Sequence, residues 1–145
     1  MKIFIPFFVC FVLLLGTREG YSFTREYFIC PADSTEAVDS ISVDSARVLM
    51  KAGEDDTTFI VLDVRTEKEF NEGHISDVFS LDFMSGTFRS DIHKLDKNYT
   101  YLIYCHSGKR SKRASIIMKE AGISKVLTMS GGIKEWMRLN YPVVK

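Results

Sequence analysis

Tyr101–Ser111 reads YLIYCHSGKRS, and this stretch decides the fold class of the chain. Its first four residues are aromatic or aliphatic, which is typical of a strand buried on both faces of a sheet. After Cys105 the chain becomes polar and leads into the longest helical pattern, which runs from about Gly108 to Ala121. A buried strand that passes through a short loop into an amphipathic helix is typical of α/β domains.

Strand and helix patterns alternate along the chain from residue 41 onward. Other strands are predicted at Ile41–Val43, Phe59–Val64, Val78–Leu81 and Val126–Met129. Helices are predicted from Asp44 or Ser45 to about Gly53, over 67–72, over 88–95 and after Gly132. The inward face of the first helix is predicted to consist of Ala46, Leu49 and Met50. That of the last helix is predicted to consist of Ile133, Trp136 and Met137. Because parallel strands need crossover connections, the pattern predicts an α/β fold with a small doubly wound, mostly parallel sheet and helices on both faces.

The size and charge of the chain exclude several classes of protein. It has 145 residues with 19 basic and 19 acidic side chains, which predicts one folded domain. A formal charge of zero argues against nucleic-acid binding, which needs a basic excess. The three cysteines form neither a disulfide framework nor a Cys-x-x-Cys pair, so neither a bound metal nor a cofactor is expected.

The N-terminal residues predict export. Lys2 precedes the apolar run Ile3–Leu15, whose thirteen residues would span about 20 Å as a helix, too short for a bilayer. Residues 1–22 are therefore predicted to be a signal peptide, cleaved before Phe23, and the mature protein to be periplasmic or secreted. Residues 23–40 are interpreted as a leader and 41–145 as the folded domain. An uncleaved membrane anchor or a buried core helix are the alternatives for the apolar run.

Polar residues follow two of the predicted buried strands. Asp63 and Arg65 end one strand, and the loop from Cys105 to Ser111 follows another. Sites in open parallel sheets lie at the carboxyl ends of the strands. The backbone N–H groups of such a loop, together with a helix N-terminus, would lower the pKa of the Cys105 thiol. Eight basic and two acidic residues between Cys105 and Arg138 favour an anionic substrate. The alternative is an inert cysteine that completes a strand.

Four motifs together resemble the small single-domain rhodanese-like sulfurtransferases, over about residues 41–145. In order they are Leu62–Arg65 with Glu69-Phe70 and Gly73–Ile75, then Tyr104–Ser111, then Met129–Ile133 with Trp136, and finally Tyr141–Val143. The Cys-x-x-Gly-x-Arg-Ser loop after a strand is the most specific of them. One departure is Ser76-Asp77-Val78, where the family usually has Pro-Gly-Ala.

The resemblance implies a sulfurtransferase in which the Cys105 thiolate takes sulfane sulfur from thiosulfate or a persulfide donor. The Cys105 persulfide then passes its sulfur to cyanide, a small thiol or a protein thiol. Arg110 is the candidate for holding sulfonate oxygens, and Ser111 either donates to the sulfur or caps the helix. The other predicted substrate-binding residues are His106, Ser107, Gly108 and Lys109.

Several neighbouring residues are predicted to have structural roles. Asp63 and Arg65 are predicted to support the loop, and Glu69, four residues beyond Arg65, to pair with that arginine. His74 is interpreted as a structural histidine and Trp136 as a core residue. The chain is expected to act as a monomer, and no contact with a membrane is expected after signal cleavage.

Other functions stay open at this point. A phosphatase or arsenate reductase is disfavoured because such loops have five residues between cysteine and arginine, whereas four separate Cys105 from Arg110. An exported persulfide carrier or redox binding module is a second alternative. A disulfide between Cys30 and Cys105 that switches off the nucleophile is a further hypothesis, against the simpler one that Cys30 packs or is exposed.

Overall fold

The predicted alternation of strands and helices is present in the structure, a computed structural model that describes residues 38–145. The predicted signal peptide, most of the leader and Cys30 lie outside the described residues. Within residues 38–145 no helix has the length and apolar character needed to cross a membrane.

The strands are β1 Ser40–Ile41, β2 Phe59–Asp63, β3 Phe79–Ser80, β4 Thr100–Tyr104 and β5 Val126–Met129. They form one five-stranded parallel sheet in the order β1-β5-β4-β2-β3. The helices are α1 Val43–Ala52, α2 Glu67–Glu72, α3 Phe88–Ile92, α4 Lys109–Glu120 and α5 Gly132–Arg138. The predicted fold class is confirmed.

Each central strand contributes to two apolar layers, one on each face of the sheet. Leu62 of β2 lies in the same buried cluster as Met118 of α4. Its neighbour Val61 faces the other way, in a cluster with Ile133 of α5. Because successive side chains of a strand point to opposite faces, burial on both faces requires the unbroken apolar runs seen in the sequence.

The first strand and helix begin earlier than predicted. The strand covers Ser40–Ile41, and the cap of α1 is Ser42 rather than Asp44 or Ser45. Ser42 has an extended backbone, and its hydroxyl accepts a hydrogen bond from the N–H of Ser45 at 3.1 Å. That hydroxyl satisfies one of the free N–H groups of the first turn, which fixes the helix start. Val43, predicted as strand, is the first helical residue and is buried.

The inward faces of α1 and α5 are narrower than predicted. Ala46 is completely buried, and Ile133 and Trp136 are buried with it on the same side of the sheet. Leu49 and Met137, however, are 37% and 46% exposed. Each helix contacts the sheet along one narrow stripe, so residues at its margin stay in solvent. Trp136 is a core residue as predicted, and its indole N–H donates to the Pro142 carbonyl at 2.8 Å.

The turn that departs from the family pattern contains a strained residue. Asp77 is exposed and has a φ of +59°, in the left-handed region that favours glycine. This is the position at which the rhodanese-like pattern usually has glycine. We expect Asp77→Gly to raise the free energy of unfolding in urea by about 0.5–1 kcal/mol, because the backbone strain exceeds the entropy cost of glycine.

Asp55→Gly is the matched control for this prediction, because Asp55 is also exposed but has no positive φ. That variant should gain no stability. An equal gain in both variants would contradict the assignment of strain to Asp77.

Candidate active site

The sulfur of Cys105 lies at the floor of a tight loop between β4 and α4. Cys105 is only 1% exposed, and the N–H of Gly108 donates to its Sγ at 3.2 Å. Gly108 has a φ of +92° and forms the N-terminal cap of α4. This left-handed conformation turns the loop around the sulfur, and it explains why glycine occupies position 108. The strand, loop and helix thus lie where the sequence predicted them.

Opposing effects set the pKa of the Cys105 thiol. Burial raises it, but the backbone N–H groups of Ser111, Ser107 and Gly108 stabilise the thiolate. The hydroxyl of Ser111 adds to this stabilisation, and the pKa falls below the usual value of a cysteine. A buried sulfur surrounded by N–H groups at a helix N-terminus is a suitable nucleophile and a suitable holder of a negatively charged product.

Arg110 is anchored by a carboxylate from another helix. Its two terminal nitrogens donate to the two carboxylate oxygens of Glu69, each at 2.7 Å. The hydrogen bonds from Arg110 lower the pKa of Glu69 to about 2, although partial burial opposes the shift. Glu69 in turn raises the pKa of Arg110, and Cys105 adds a smaller effect of the same sign. The loop therefore carries an ion pair close to its sulfur.

The predicted pairing of Glu69 with Arg65 is wrong. The Nη2 of Arg65 donates to Asp63 at 2.6 Å and to the Gly73 carbonyl at 2.7 Å. Glu69 is instead held toward the loop by Thr66, the cap of α2. The N–H of Thr66 donates to Glu69 Oε2 at 3.1 Å, and the N–H of Glu69 donates to the Thr66 hydroxyl at 3.3 Å. This reciprocal capping box fixes the carboxylate.

Asp63 and Arg65 form a buried ion pair at the end of β2. Asp63 is completely buried, and Arg65 is 5% exposed. Within residues 38–145, neither side chain donates a hydrogen bond to the Cys105 loop or accepts one from it. Tyr104, which pairs with Asp63 in the sheet, connects the ion pair to the loop. The pKa of Tyr104 is raised by burial and then by Asp63, and its hydroxyl accepts from the N–H of Ile75 at 3.3 Å. Because Cys105 directly follows Tyr104, the predicted support of the loop by Asp63 and Arg65 would act through Tyr104.

The remaining predicted residues fall into an inner and an outer group. Ser111 is completely buried, and its hydroxyl donates to the Gly108 carbonyl at 3.1 Å as well as lying near the sulfur. His106, Ser107 and Lys109 are exposed at the rim of the loop. Away from the sulfur, the ring of His74 stacks on Phe70 with centroids 3.8 Å apart, and Nδ1 lies 3.1 Å from the Phe70 carbonyl oxygen. These contacts support the structural interpretation of His74.

Gly131 and Gly132, at the start of α5, have a role in the site that was not predicted from the sequence. The N–H groups of Ile133 and Lys134 donate to the carbonyls of Cys105 and His106, at 2.9 and 3.0 Å. A Cβ on Gly132 would come within 2.2 Å of the Cys105 carbonyl oxygen, so only glycine fits there. The Gly131-Gly132 motif was the signal in the sequence. The start of α5 thus fixes the back of the Cys105 loop.

A hollow of about 200 Å³ lies beside the loop and is lined in part by serine and lysine side chains. Ser107, Lys109, Lys112 and Ser130 are among its lining residues. Within residues 38–145, Lys109, Lys112 and Lys134 form no salt bridge. Unpaired cations beside the loop would attract an anionic substrate. A larger hollow of about 600 Å³ between α1 and the β2–β3 edge contains none of the predicted site residues.

The part of the chain that the structure describes contains no group of three or more His, Cys, Asp or Glu residues arranged to hold a metal ion. The groups that converge at the site are instead a thiol, backbone N–H donors and an ion pair. This arrangement can generate a thiolate, bind an anion beside it and stabilise negative charge on sulfur.

Comparison with known proteins identifies the family. The model of the rhodanese-like domain matches residues 42–139. The chain is 31% identical to "Putative sulfur carrier protein YrkF" of Bacillus subtilis (strain 168), with 84% of this chain and 65% of that protein aligned. It is 33% identical to a protein named "Sulfurtransferase" from Allochromatium vinosum, with 59% of this chain and 78% of the relative aligned.

A solved structure agrees with this match. The crystal structure of a rhodanese-related protein from Thermoplasma volcanium superposes with a TM-score of 0.60 at 25% sequence identity. The superposition covers 73% of this chain and 97% of that one. With the fold and the cysteine loop described above, these matches show that the chain belongs to the rhodanese-like family of sulfurtransferases and sulfur carriers.

Proposed function

We propose that this protein is a sulfurtransferase that carries sulfane sulfur as a persulfide on Cys105. The observation that supports this most is the position of the sulfur. It is buried at the centre of a loop whose N–H groups lower its pKa, directly after a central strand. Thiolates are the reactive form of cysteine, and the same N–H groups suit an anionic persulfide.

In the first half-reaction, the Cys105 thiolate attacks the outer sulfur of the donor. With thiosulfate, a new sulfur–sulfur bond forms to Cys105, and the bond from the outer sulfur to the sulfonate sulfur breaks. The electron pair of that bond leaves with sulfite. With a persulfide donor, the leaving group is the thiolate of the donor. No external oxidant or reductant is needed in either case.

In the second half-reaction, an acceptor attacks the outer sulfur of the Cys105 persulfide. Cyanide would leave as thiocyanate, and a thiolate would leave as a persulfide, with the Cys105 thiolate regenerated in both cases. The two half-reactions make a ping-pong sequence. The N–H groups of Ser107, Gly108 and Ser111 that surround the thiolate would also stabilise the persulfide anion.

The length of the loop favours sulfur over phosphate. Only four residues separate Cys105 from Arg110, and the N–H of Gly108 already lies 3.2 Å from Sγ. A loop this tight suits one additional sulfur atom better than a tetrahedral phosphate. Arg110 and Lys109 on the rim are the candidates for contacts to the charged part of a donor.

We also propose that the protein works outside the cytoplasm as a monomer, after removal of residues 1–22. The basic start and the apolar run Ile3–Leu15 support export. The proposed partners are a small anionic sulfur donor and a thiol acceptor, either a small molecule or a protein.

Intact mass spectrometry of the purified protein, before and after incubation with thiosulfate or an alkyl persulfide, tests the proposal. We expect the gain of one sulfur atom, which cyanide removes, and loss of that gain in Cys105→Ser. A carrier would hold the same sulfur atom but turn over poorly with thiosulfate and cyanide. Absence of any adduct with either donor would overturn the proposal and favour a phosphatase or binding role.

A further inference from the structure

The pairing of Arg110 with Glu69 determines the net charge offered to the donor. We infer that Glu69 is a specificity-determining residue that shifts the donor preference from the thiosulfate dianion toward singly charged persulfides, an inference that rests on the proposed function. No role of Glu69 in binding substrate was predicted from the sequence.

The carboxylate of Glu69 compensates the positive charge of Arg110 through two direct hydrogen bonds. Both terminal nitrogens of Arg110 donate to Glu69 at 2.7 Å, and the two side chains are only 23% and 29% exposed. Partial burial weakens solvent screening, so the carboxylate acts on the site more strongly than a fully exposed charge would. Glu69 takes up two of the five N–H donors of Arg110 and compensates much of its positive charge.

The carboxylate is held in place independently of any substrate. Glu69 Oε2 accepts from the N–H of Thr66 at 3.1 Å, from the Thr66 hydroxyl at 2.9 Å and from Arg110. With its pKa near 2, Glu69 is ionised at every pH at which the protein would work. The ion pair is therefore a fixed part of the site.

The two classes of donor differ in the charge that they bring to the loop. Thiosulfate carries two negative charges and releases sulfite, which takes both of them away. A persulfide anion carries one charge on its reacting end and releases a thiolate. An uncompensated Arg110 would stabilise the dianion and its leaving group most. A carboxylate on Arg110 removes much of that advantage and also repels the second charge.

Glu69→Gln tests the inference, because it removes the charge and keeps the local structure. Glutamine at this position can still accept from the N–H of Thr66 and complete the capping box. We expect the ratio of kcat/KM for thiosulfate to kcat/KM for 2-hydroxyethyl persulfide, whose only charge is on the reacting sulfur, to rise about tenfold. The pH midpoint for alkylation of Cys105 by iodoacetamide should fall by about half a pH unit or more.

Glu72→Gln is the matched control. Glu72 lies on the same helix and is exposed, and its side chain has no hydrogen-bond partner among the described residues. Both readouts should stay at wild-type values in this variant. A donor ratio and an alkylation midpoint that stay unchanged in Glu69→Gln would overturn the inference. A rise in the ratio that occurs only in Glu69→Ala, which also loses the cap, would overturn it too, since geometry would then be the cause.

Failure of the proposed function can be distinguished from failure of this inference. If the wild-type protein transfers no sulfur, the proposed function fails, but protection of Cys105 from iodoacetamide by thiosulfate still reports binding of the dianion. Under the inference, protection requires about tenfold less thiosulfate in Glu69→Gln than in the wild type. Equal protection in the two proteins would overturn it.

Discussion

Replacing Cys105 by serine should abolish sulfur transfer, by at least about a thousandfold, and leave the fold intact. A serine hydroxyl stays protonated at neutral pH and cannot hold a persulfide. It is close to a thiol in size and can accept the hydrogen bond that the N–H of Gly108 donates to Sγ. The stability in urea should therefore change by only about 1 kcal/mol.

The thiosulfate:cyanide assay and intact mass together measure this effect. Cys30→Ser is the matched control, because it removes the other cysteine of the predicted mature protein. It should retain wild-type activity and persulfide formation under reducing conditions. Near wild-type transfer in a well-folded Cys105→Ser protein would contradict the assignment of Cys105 as the nucleophile.

The position of the nucleophile could be predicted because its determinants are local in the sequence. A buried strand, a glycine four positions after its last residue and a basic helix start follow one another within Tyr101–Ser111. These features specify a loop of N–H groups around the residue that ends the strand. The structure has this arrangement, with Gly108 in a left-handed conformation and Sγ facing its N–H.

The ion pair that links the loop to α2 could not be predicted in the same way. Glu69 and Arg110 are 41 residues apart, and a nearer arginine, Arg65, stands four residues before the glutamate. The four-residue spacing brings side chains together only inside a helix. Arg65 precedes the cap Thr66, so it lies outside α2 and turns toward Asp63 instead. The choice between the two arginines depends on tertiary structure.

The close approach of α5 to the loop was missed for a related reason. Two adjacent glycines usually indicate a turn, and the sequence does not show which backbone lies against them. Here the Cys105 carbonyl occupies the space that a side chain on Gly132 would need. The two glycines therefore predict a turn, but only the folded structure shows that this turn packs against the backbone of the Cys105 loop.

Asp63→Asn should lower the free energy of unfolding by about 3–5 kcal/mol, because it leaves the Arg65 charge buried without a counterion. The two Asp63 oxygens accept from Nε of Arg65 at 3.0 and 2.9 Å and from Nη2 at 2.6 Å. The amide of asparagine replaces one acceptor by a donor and carries no charge. Unfolding in urea, compared with the exposed variant Asp55→Asn, measures the loss, and the control should change by less than about 0.5 kcal/mol.

Combining Asp63→Asn with Arg65→Met distinguishes a buried unpaired charge from a general loss of packing. The double variant removes both charges, so it should be more stable than Asp63→Asn alone. If the second substitution only adds to the damage, the cost comes from lost hydrogen bonds and shape rather than from charge. A single variant that is as stable as the wild type would contradict the supporting role of Asp63 and Arg65.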